Sequence, residues 1–371
     1  MRLAILGTRG IPARYGGFET LAEELSSRLV VAGHEVTVYT RRHAAAKGVR
    51  SYRGATVRVL PALRTKSLET LSHTLLSCLD VSRRRFDVTL VCNAANAPLL
   101  PILHAKRLPV ALNVDGIERK RRKWGALGRR YYRIGEALAA RWADAVVTDA
   151  LAMQRYYRRA WGRESIMIPY GGDLAGPASD ATLRTLGLEP GGYLLYVSRF
   201  EPENNPDRVA AAYRDVAAKV PLVMVGGAPY ARALNQRVRE VAMRDPRIML
   251  TGPIYGEGYR ELLFHASAYI HATEVGGTHP ALVEAMGAGR VVFFLDNLAN
   301  REVVGSAGVP FGFEAGPPLA EVINAYLAQP ARYQGLAEAA RARVMERYRW
   351  DDVAVKYEHL LEGLCCASRP V

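Results

Sequence analysis

The chain has 371 residues, 49% of them apolar and 23% charged, and a formal net charge of +14. That composition excludes disorder, collagen and coiled coil as the main architecture, and the length suits two domains with a core each. No apolar run approaches the roughly 18 residues of a membrane span, MRLAILGTRG is no secretory signal, and four cysteines (Cys78, Cys92, Cys365 and Cys366) without a CxxC pair give neither a disulfide framework nor a zinc site, so a reducing cytoplasm is expected.

In chain order, Arg2–Gly7 is a short apolar run ending in glycine, and Phe18–Val31 has helical spacing with Leu21, Leu25 and Leu29 on one face. Glu35–Tyr39, Val57–Leu60, Val88–Cys92, Val110–Val114 and Ala145–Thr148 read as strands. Residues 170–192, rich in Gly, Pro, Ala and Ser, read as an interdomain linker. The rhythm then restarts. Strands are predicted at 193–198, 222–225, 248–250, 268–271 and 291–295, and helices at 207–219, 231–244, 259–266, 280–286, 319–327 and 351–364. Alternating strand and helix patterns predict two α/β domains with parallel sheets. Ligands of such sheets sit beyond the carboxyl ends of the strands.

Charge is unevenly spread. Residues 1–180 hold 30 Lys and Arg against 15 Asp and Glu, a net of +15, and the remainder holds 20 against 21. An anionic partner of the first half is expected: phospholipid, a pyrophosphate-linked substrate or nucleic acid. The run from Arg119 to Arg133 has eight basic residues with Trp124, Tyr131 and Tyr132 interleaved. This pattern suits a membrane surface or nucleic acid. The plain alternative is a solvated helix face.

Four segments carry candidate chemistry. Gly7–Glu19 (GTRGIPARYGGFE) follows the first strand and opens the first helix. Its four glycines let N–H groups approach a ligand, and a helix N-terminus favours an anion. It is neither GxGxxG nor a Walker A loop, and an empty glycine-rich turn is the bland reading. Asn113–Glu118 (NVDGIE) places Asp115 at a strand end, where it is either a catalytic carboxylate or part of an Asp-Gly turn. Val197–Asn205 places Arg199 at another strand end, as a diphosphate fork or a surface partner of Glu201 or Glu203. Glu274–Gly289 starts a helix at Pro280. Free N–H groups there can hold phosphate, and Glu284 can accept from a ribose diol or merely complement the helix dipole.

Together, GTRGIPARYGGFE, NVDGIE, IPYGGD (Ile168–Asp173), SRFEPENN and VGGTHPALVEAM before DNLANREV resemble retaining glycosyltransferases of the GT-B fold, the group called glycosyltransferase family 4. Within it they are similar to bacterial surface-polysaccharide enzymes, some of them rhamnosyltransferases. The resemblance runs over nearly the whole chain. It implies an acceptor domain over 1–175, a nucleotide-sugar donor domain over 176–350 facing it across a cleft, and a C-terminal helix, 351–371, packing back on the first domain. Arg199 then matches the arginine on the donor diphosphate, Glu284 the glutamate on the ribose, and Gly277, Thr278 and His279 the loop whose backbone touches sugar and phosphate. Gly16 and Gly17 match the first-domain loop facing the pyrophosphate, with Arg9, Tyr15 and Glu19 alongside. Asp115 falls where relatives place a histidine or aspartate near the reacting sugar.

Two departures stand out. Gly276 occupies the position of the usual first glutamate, with Glu274 two residues early. Asn205 replaces a lysine that follows the arginine by six positions, and Arg9 is a candidate source of the missing charge. No DxD motif accompanies the site, so no metal and no cofactor are expected. The implied partners are a nucleotide-sugar donor, a lipid-linked or glycan acceptor and an anionic membrane surface, with no nucleic acid. The chain is then cytoplasmic, docked peripherally on the inner membrane face. Two rival readings remain: a nucleotide-sugar epimerase of similar fold, and a non-catalytic binder of anionic polymers.

Overall fold

The computed structural model describes all residues except Tyr15, Lys66, Ser67, Pro229, Tyr230 and 368–371. The chain divides into two units. The first comprises Met1–Lys120, Trp124–Tyr170 and the segment from Trp350 onward; the second comprises Arg121–Lys123 and Gly171–Arg349.

In the first unit β1 (Arg2–Leu6) leads to α1 (Gly17–Val31), β2 (Glu35–Arg41), β3 (Ser51–Tyr52), β4 (Ala55–Leu60) and α2 (Glu69–Val81). β5 (Val88–Cys92), α3 (Leu100–His104), β6 (Val110–Asn113), α4 (Ala126–Trp142), β7 (Ala145–Thr148), α5 (Leu151–Trp161) and β8 (Ile166–Met167) follow. The strands form one sheet in the order β3-β4-β2-β1-β5-β6-β7-β8, parallel except for β3 against β4. β1 is fully enclosed, pairing Leu3 with Val36 on one side and with Val88 on the other. Its residues Leu3–Leu6 are buried without alternation, as a strand covered on both faces must be.

The second unit runs through α6 (Ala181–Leu186), β9 (Leu194–Ser198), α7 (Pro206–Tyr213), β10 (Leu222–Gly226), α8 (Arg232–Arg244), β11 (Ile248–Gly252) and α9 (Gly256–His265). Then come β12 (Ala268–His271), α10 (Pro280–Gly287), β13 (Val291–Leu295), α11 (Leu298–Val304), β14 (Val309–Phe311), α12 (Leu319–Ala328) and α13 (Gln334–Arg347). Its sheet is parallel, in the order β11-β10-β9-β12-β13-β14. The last helix, α14 (Trp350–Ala367), belongs with the first unit. Its buried face carries Val353, Tyr357 and Leu361 at four-residue spacing. Asn113 donates to the Tyr357 hydroxyl at 2.7 Å. Among the described residues no helix is long and apolar enough to cross a membrane.

In each sheet the chain leaves the first strand toward one side and later returns on the other. The reversal lies between β1 and β5 in the first unit, and between β9 and β12 in the second. Loops leaving the carboxyl ends of such strand pairs splay apart and open a crevice for a ligand.

Several local readings are revised. The predicted linker contains α6, closed by Gly187 in the left-handed region. The helix predicted over 207–219 stops at Tyr213, because the Arg247 guanidinium donates to the carbonyls of Tyr213, Val216 and Ala218 that a further turn would need. α11, α13 and β14 were not anticipated. α13 has only Ala340 and Val344 buried, too thin a seam to show as helical periodicity. β14 is three residues long with Pro310 inside it, a pattern tolerated at a sheet edge.

One backbone contact sets where α10 lies. A side chain on Gly172 would stand 2.4 Å from the Val283 carbonyl, and one on Gly287 would stand 2.0 Å from the Gly172 carbonyl. The IPYGGD segment therefore crosses α10 with backbone against backbone, and the Gly172 N–H is held by the Tyr348 carbonyl at 2.8 Å. Gly287→Ala is expected to push the two apart and cost about 2–3 kcal/mol. A lowered urea midpoint at unchanged slope would report it; an unchanged midpoint would mean that the contact is not tight.

Candidate functional site

In the second unit, the two loops at the sheet reversal are the ones carrying the predicted donor residues. After β9 the chain turns at Arg199. The Asn204 amide donates to the Arg199 carbonyl at 2.6 Å, and the buried Tyr196 hydroxyl donates to the Asn204 carbonyl at 2.5 Å. Asn205 then takes up a left-handed conformation (φ +56°) ahead of Pro206. Its amide spends its hydrogens on the Ala272 carbonyl, 2.9 Å, and on Glu274 Oε1, 3.0 Å. The side chain standing in place of a lysine thus ties the β9 loop to the β12 loop.

The β12 loop ends in the start of α10. Gly276 has φ +148°, and a side chain there would fall 2.3 Å from the His279 ring. That position accepts no glutamate without rebuilding the loop. Gly277 and Thr278 are buried, His279 caps the helix without a side-chain bond, and Pro280 is its first residue. The Leu282 and Val283 N–H groups of the first turn both donate to the His279 carbonyl, at 3.0 and 3.2 Å. Glu284 lies in the second turn, not the first. It accepts from the Tyr259 hydroxyl at 2.6 Å, so dipole complementation alone does not explain it.

The His279 and His271 rings lie 5.0 Å apart. Burial pushes His271 down to about 3. Burial, then the charges of His271, Arg121 and Arg199, hold His279 well below its ordinary value. Both imidazoles are neutral at physiological pH, so His279 is no cationic phosphate ligand.

In the first unit, the loop after β1 is held from below by acids of α1. Glu19 accepts from the Arg9 N–H at 2.7 Å, and Glu23 from the Ala13 N–H at 2.6 Å. Gly16 caps α1 in an extended conformation and Gly17 is its first residue; Tyr15 lies outside the described residues. Arg9 reaches Glu69 at 3.4 Å, where Arg41 at 2.9 Å and His43 at 2.8 Å also converge. Burial raises Glu69, but Arg41 and Arg9 outweigh it and hold the carboxyl below its ordinary range. Arg9 therefore serves a cluster inside the first unit. Arg41, His43 and Glu69 were not singled out from the sequence, being scattered over an element end, a loop and a helix.

Asp115 follows β6 with φ +53°, its N–H bound by the Asn113 side chain at 3.0 Å. Its charge is felt by Cys92, Tyr170 and Tyr357, which burial already raises well above their usual values. Asp149, at the end of β7, acts on the same two tyrosines. The carboxylate after β7 had the same strand-end signal as Asp115, but no neighbouring motif drew attention to it.

The basic run divides. Arg119 bonds Glu136 at 3.2 Å and the Tyr156 hydroxyl at 2.9 Å. Arg121 meets Glu203 at 3.3 Å, Arg122 meets Glu274 at 2.6 Å and Lys123 meets Glu201 at 3.7 Å, all within the second unit. Trp124 packs on Tyr132 with ring centres 5.1 Å apart. Arg129, Arg130 and Arg133 remain exposed on α4, beside Leu127 and Ile134.

Two α/β units, each with a largely parallel sheet whose strand order reverses once, have the GT-B fold of known glycosyltransferases. Residues 16–171 match the family described as glycosyl transferase 4-like domain, and residues 191–341 match glycosyl transferases group 1. The chain is thus built from two glycosyltransferase domains. It is 26% identical, over 98% of its length and 99% of the relative's, to the GDP-mannose-dependent alpha-(1-6)-phosphatidylinositol monomannoside mannosyltransferase of Mycobacterium tuberculosis. Among solved structures it resembles sucrose-phosphate synthase from Thermosynechococcus elongatus (TM-score 0.84, 19% identity, 99% of each chain). It also resembles Anabaena HepE in complex with UDP-glucose (TM-score 0.80, 17% identity, 98% of this chain and 100% of that one).

The buried imidazoles predict a pH dependence of stability. Unfolded His271 binds a proton below about pH 6.5, whereas the folded one resists until about 3. Stability present above pH 6.5 is therefore lost on acidification, by up to about 1.4 kcal/mol per pH unit from this one group. His271→Phe should flatten the slope by that amount in urea titrations below about pH 6.5. An unaltered slope would mean that the imidazole charges freely in the folded state.

Proposed function

We propose that this glycosyltransferase transfers a sugar, with retention, from a nucleoside-diphosphate donor held by the second unit to a lipid-linked or polysaccharide acceptor held by the first, in cell-surface glycan synthesis. The reading is supported most by one arrangement: Arg199, the loop that starts α10 and Glu284 at the sheet reversal of a single unit. Negative charge grows on the leaving diphosphate as the anomeric bond breaks. Preformed donors aimed at that charge are the main catalytic lever. Arg199 and the backbone at Gly277 and Thr278 supply them, and Glu284 accepts from the ribose. Attack from the leaving-group side, with the departing phosphate taking the acceptor proton, accounts for retention. Asp115 orients a hydroxyl of the acceptor or the sugar.

Because protein groups meet the leaving charge, transfer needs no divalent cation in this reading. The mannosyltransferase relative makes GDP-mannose a donor to try first, with UDP-sugars beside it and a rhamnosyl donor for the surface-polysaccharide likeness. Release of nucleoside diphosphate on adding acceptor is the assay. Arg199→Ala should lower kcat/KM by about a hundredfold or more, Glu284→Gln should mainly raise the donor KM, and Asp115→Asn should lower kcat. Excess EDTA should leave the rate unchanged. Near-normal kcat/KM in both Arg199→Ala and Asp115→Asn refutes the assignment, and turnover of donor without acceptor or release would favour an epimerase.

The exposed face of α4 is the membrane-docking element of this reading. Leu127, Arg130 and Ile134 share one helical face, with Arg129 and Arg133 flanking it. Amphipathic basic helices bind anionic lipid by apolar burial plus charge. Co-sedimentation should favour anionic over neutral vesicles, and Leu127→Glu with Ile134→Glu should abolish the preference. Equal binding to both vesicle types would remove the membrane partner.

A further inference from the structure

Glu284 is only 5% exposed. A carboxylate taken that far out of water needs hydrogen bonds to hold its charge. One comes from the Tyr259 hydroxyl, 2.6 Å from Oε2, the length of a tight O–H···O⁻ bond. The phenol keeps its proton: burial, then the Glu284 charge, hold it well above the ordinary tyrosine value. Tyr259 is therefore the donor and Glu284 the acceptor. A second tyrosine, Tyr269, feels the same carboxylate, but its hydroxyl donates to the Val197 carbonyl at 3.3 Å.

Tyr259 ends the first turn of α9, and that helix is fixed from the side of α6. Glu261 accepts from the Ser179 hydroxyl and from the Thr182 N–H, both at 2.6 Å. A side chain on Gly258 would stand 2.8 Å from Thr182 Oγ1, so the two helices pack closely beside Tyr259. One turn on, the Leu262 carbonyl accepts from the buried Tyr193 hydroxyl at 2.7 Å. The phenol is thus carried to α10 on an anchored helix. α10 is held separately, by the backbone contact of Gly172 and Gly287. The Tyr259–Glu284 bond therefore joins two elements whose positions are set elsewhere.

The outermost torsion of a glutamate side chain has broad minima, so a carboxylate left to itself swings. To accept from the two adjacent hydroxyls of a ribose it must meet them with its plane already set. A bond from a fixed phenol to one oxygen sets that plane before any nucleotide arrives. We propose that Tyr259 is a positioning residue for the donor's ribose: it holds the Glu284 carboxylate in the orientation that accepts from the 2′ and 3′ hydroxyls. This rests on the donor reading given above, which places the ribose at Glu284. Tyr259 acts through that carboxylate, so its contribution belongs to the ribose hydroxyls and not to the base or the phosphates.

Calorimetric titration of the full chain with UDP and GDP, and with the 2′,3′-dideoxy form of whichever binds better, tests the assignment. Tyr259→Phe keeps the ring and removes only the hydroxyl. It should weaken the better-bound diphosphate about tenfold and leave the dideoxy form at its wild-type affinity. Added to Glu284→Ala it should cost nothing further, because both changes remove one contact. Tyr213→Phe, which takes away a buried tyrosine's hydroxyl bond at the end of α7 in the same unit, should bind as wild type. Wild-type diphosphate affinity in Tyr259→Phe beside a weak Glu284→Ala overturns the proposal. So does an equal loss for the diphosphate and its dideoxy form, or a loss that adds in full to that of Glu284→Ala, since either marks a structural role. A wild-type chain that binds neither diphosphate, or wild-type affinity in Glu284→Ala, would instead fell the donor reading and this proposal with it.

Discussion

The first turn of α10 begins at a proline and is capped by a residue whose side chain makes no capping bond. The Leu282 and Val283 N–H groups of that turn both donate to the His279 carbonyl, and the positive end of the helix dipole lies at this tip. In many helices a serine, aspartate or asparagine at this place caps the tip with its side chain. Here the neighbours are imidazoles that burial keeps neutral and the Glu203 and Glu274 carboxylates that hold Arg121 and Arg122. The rest of the second unit depends on how the β9 and β12 loops are fixed to this helix start. Gly172 and Gly287 bring two backbones together so that the helix cannot slide. Asn205 ties the two loops, and burial keeps His279 and His271 from adding protons of their own.

The chain's charge takes on a different meaning in three dimensions. The +15 excess of the first 180 residues is not one basic surface. Arg9 and Arg41 converge on Glu69, Arg119 lies against Glu136, and Arg121–Lys123 are clamped to glutamates of the second unit. The exposed basic face on α4 is smaller than the sequence count implies. Its apolar companions Leu127 and Ile134 give it a character that a count of charges does not reveal.

Both units obey one rule. A parallel sheet whose order reverses opens a crevice at that point, and the chain places its glycine-rich or proline-led helix starts there, once after β1 and once near β12. Structures below 20% identity share this frame, because the frame depends on buried strand patterns that many apolar residues satisfy.

What the sequence determined by itself is everything carried by local period and local backbone chemistry. The uninterrupted apolar strands such as Val291–Leu295, the Pro280 helix start and the glycines of both loops were legible because each is set by its near neighbours in the chain. The missed pieces lack a local signature: α13 has too little apolar seam, and the early end of α7 comes from Arg247, more than thirty residues away. The candidate site divides along the same line. Arg199, His279 and Glu284 were singled out by their places at a strand end and a helix start. The destination of Arg121, the duty of Asn205 and the cluster on Glu69 were decided only by tertiary structure. Charge pairing acts through space, and nothing in the order of residues says which distant carboxylate a buried guanidinium will meet.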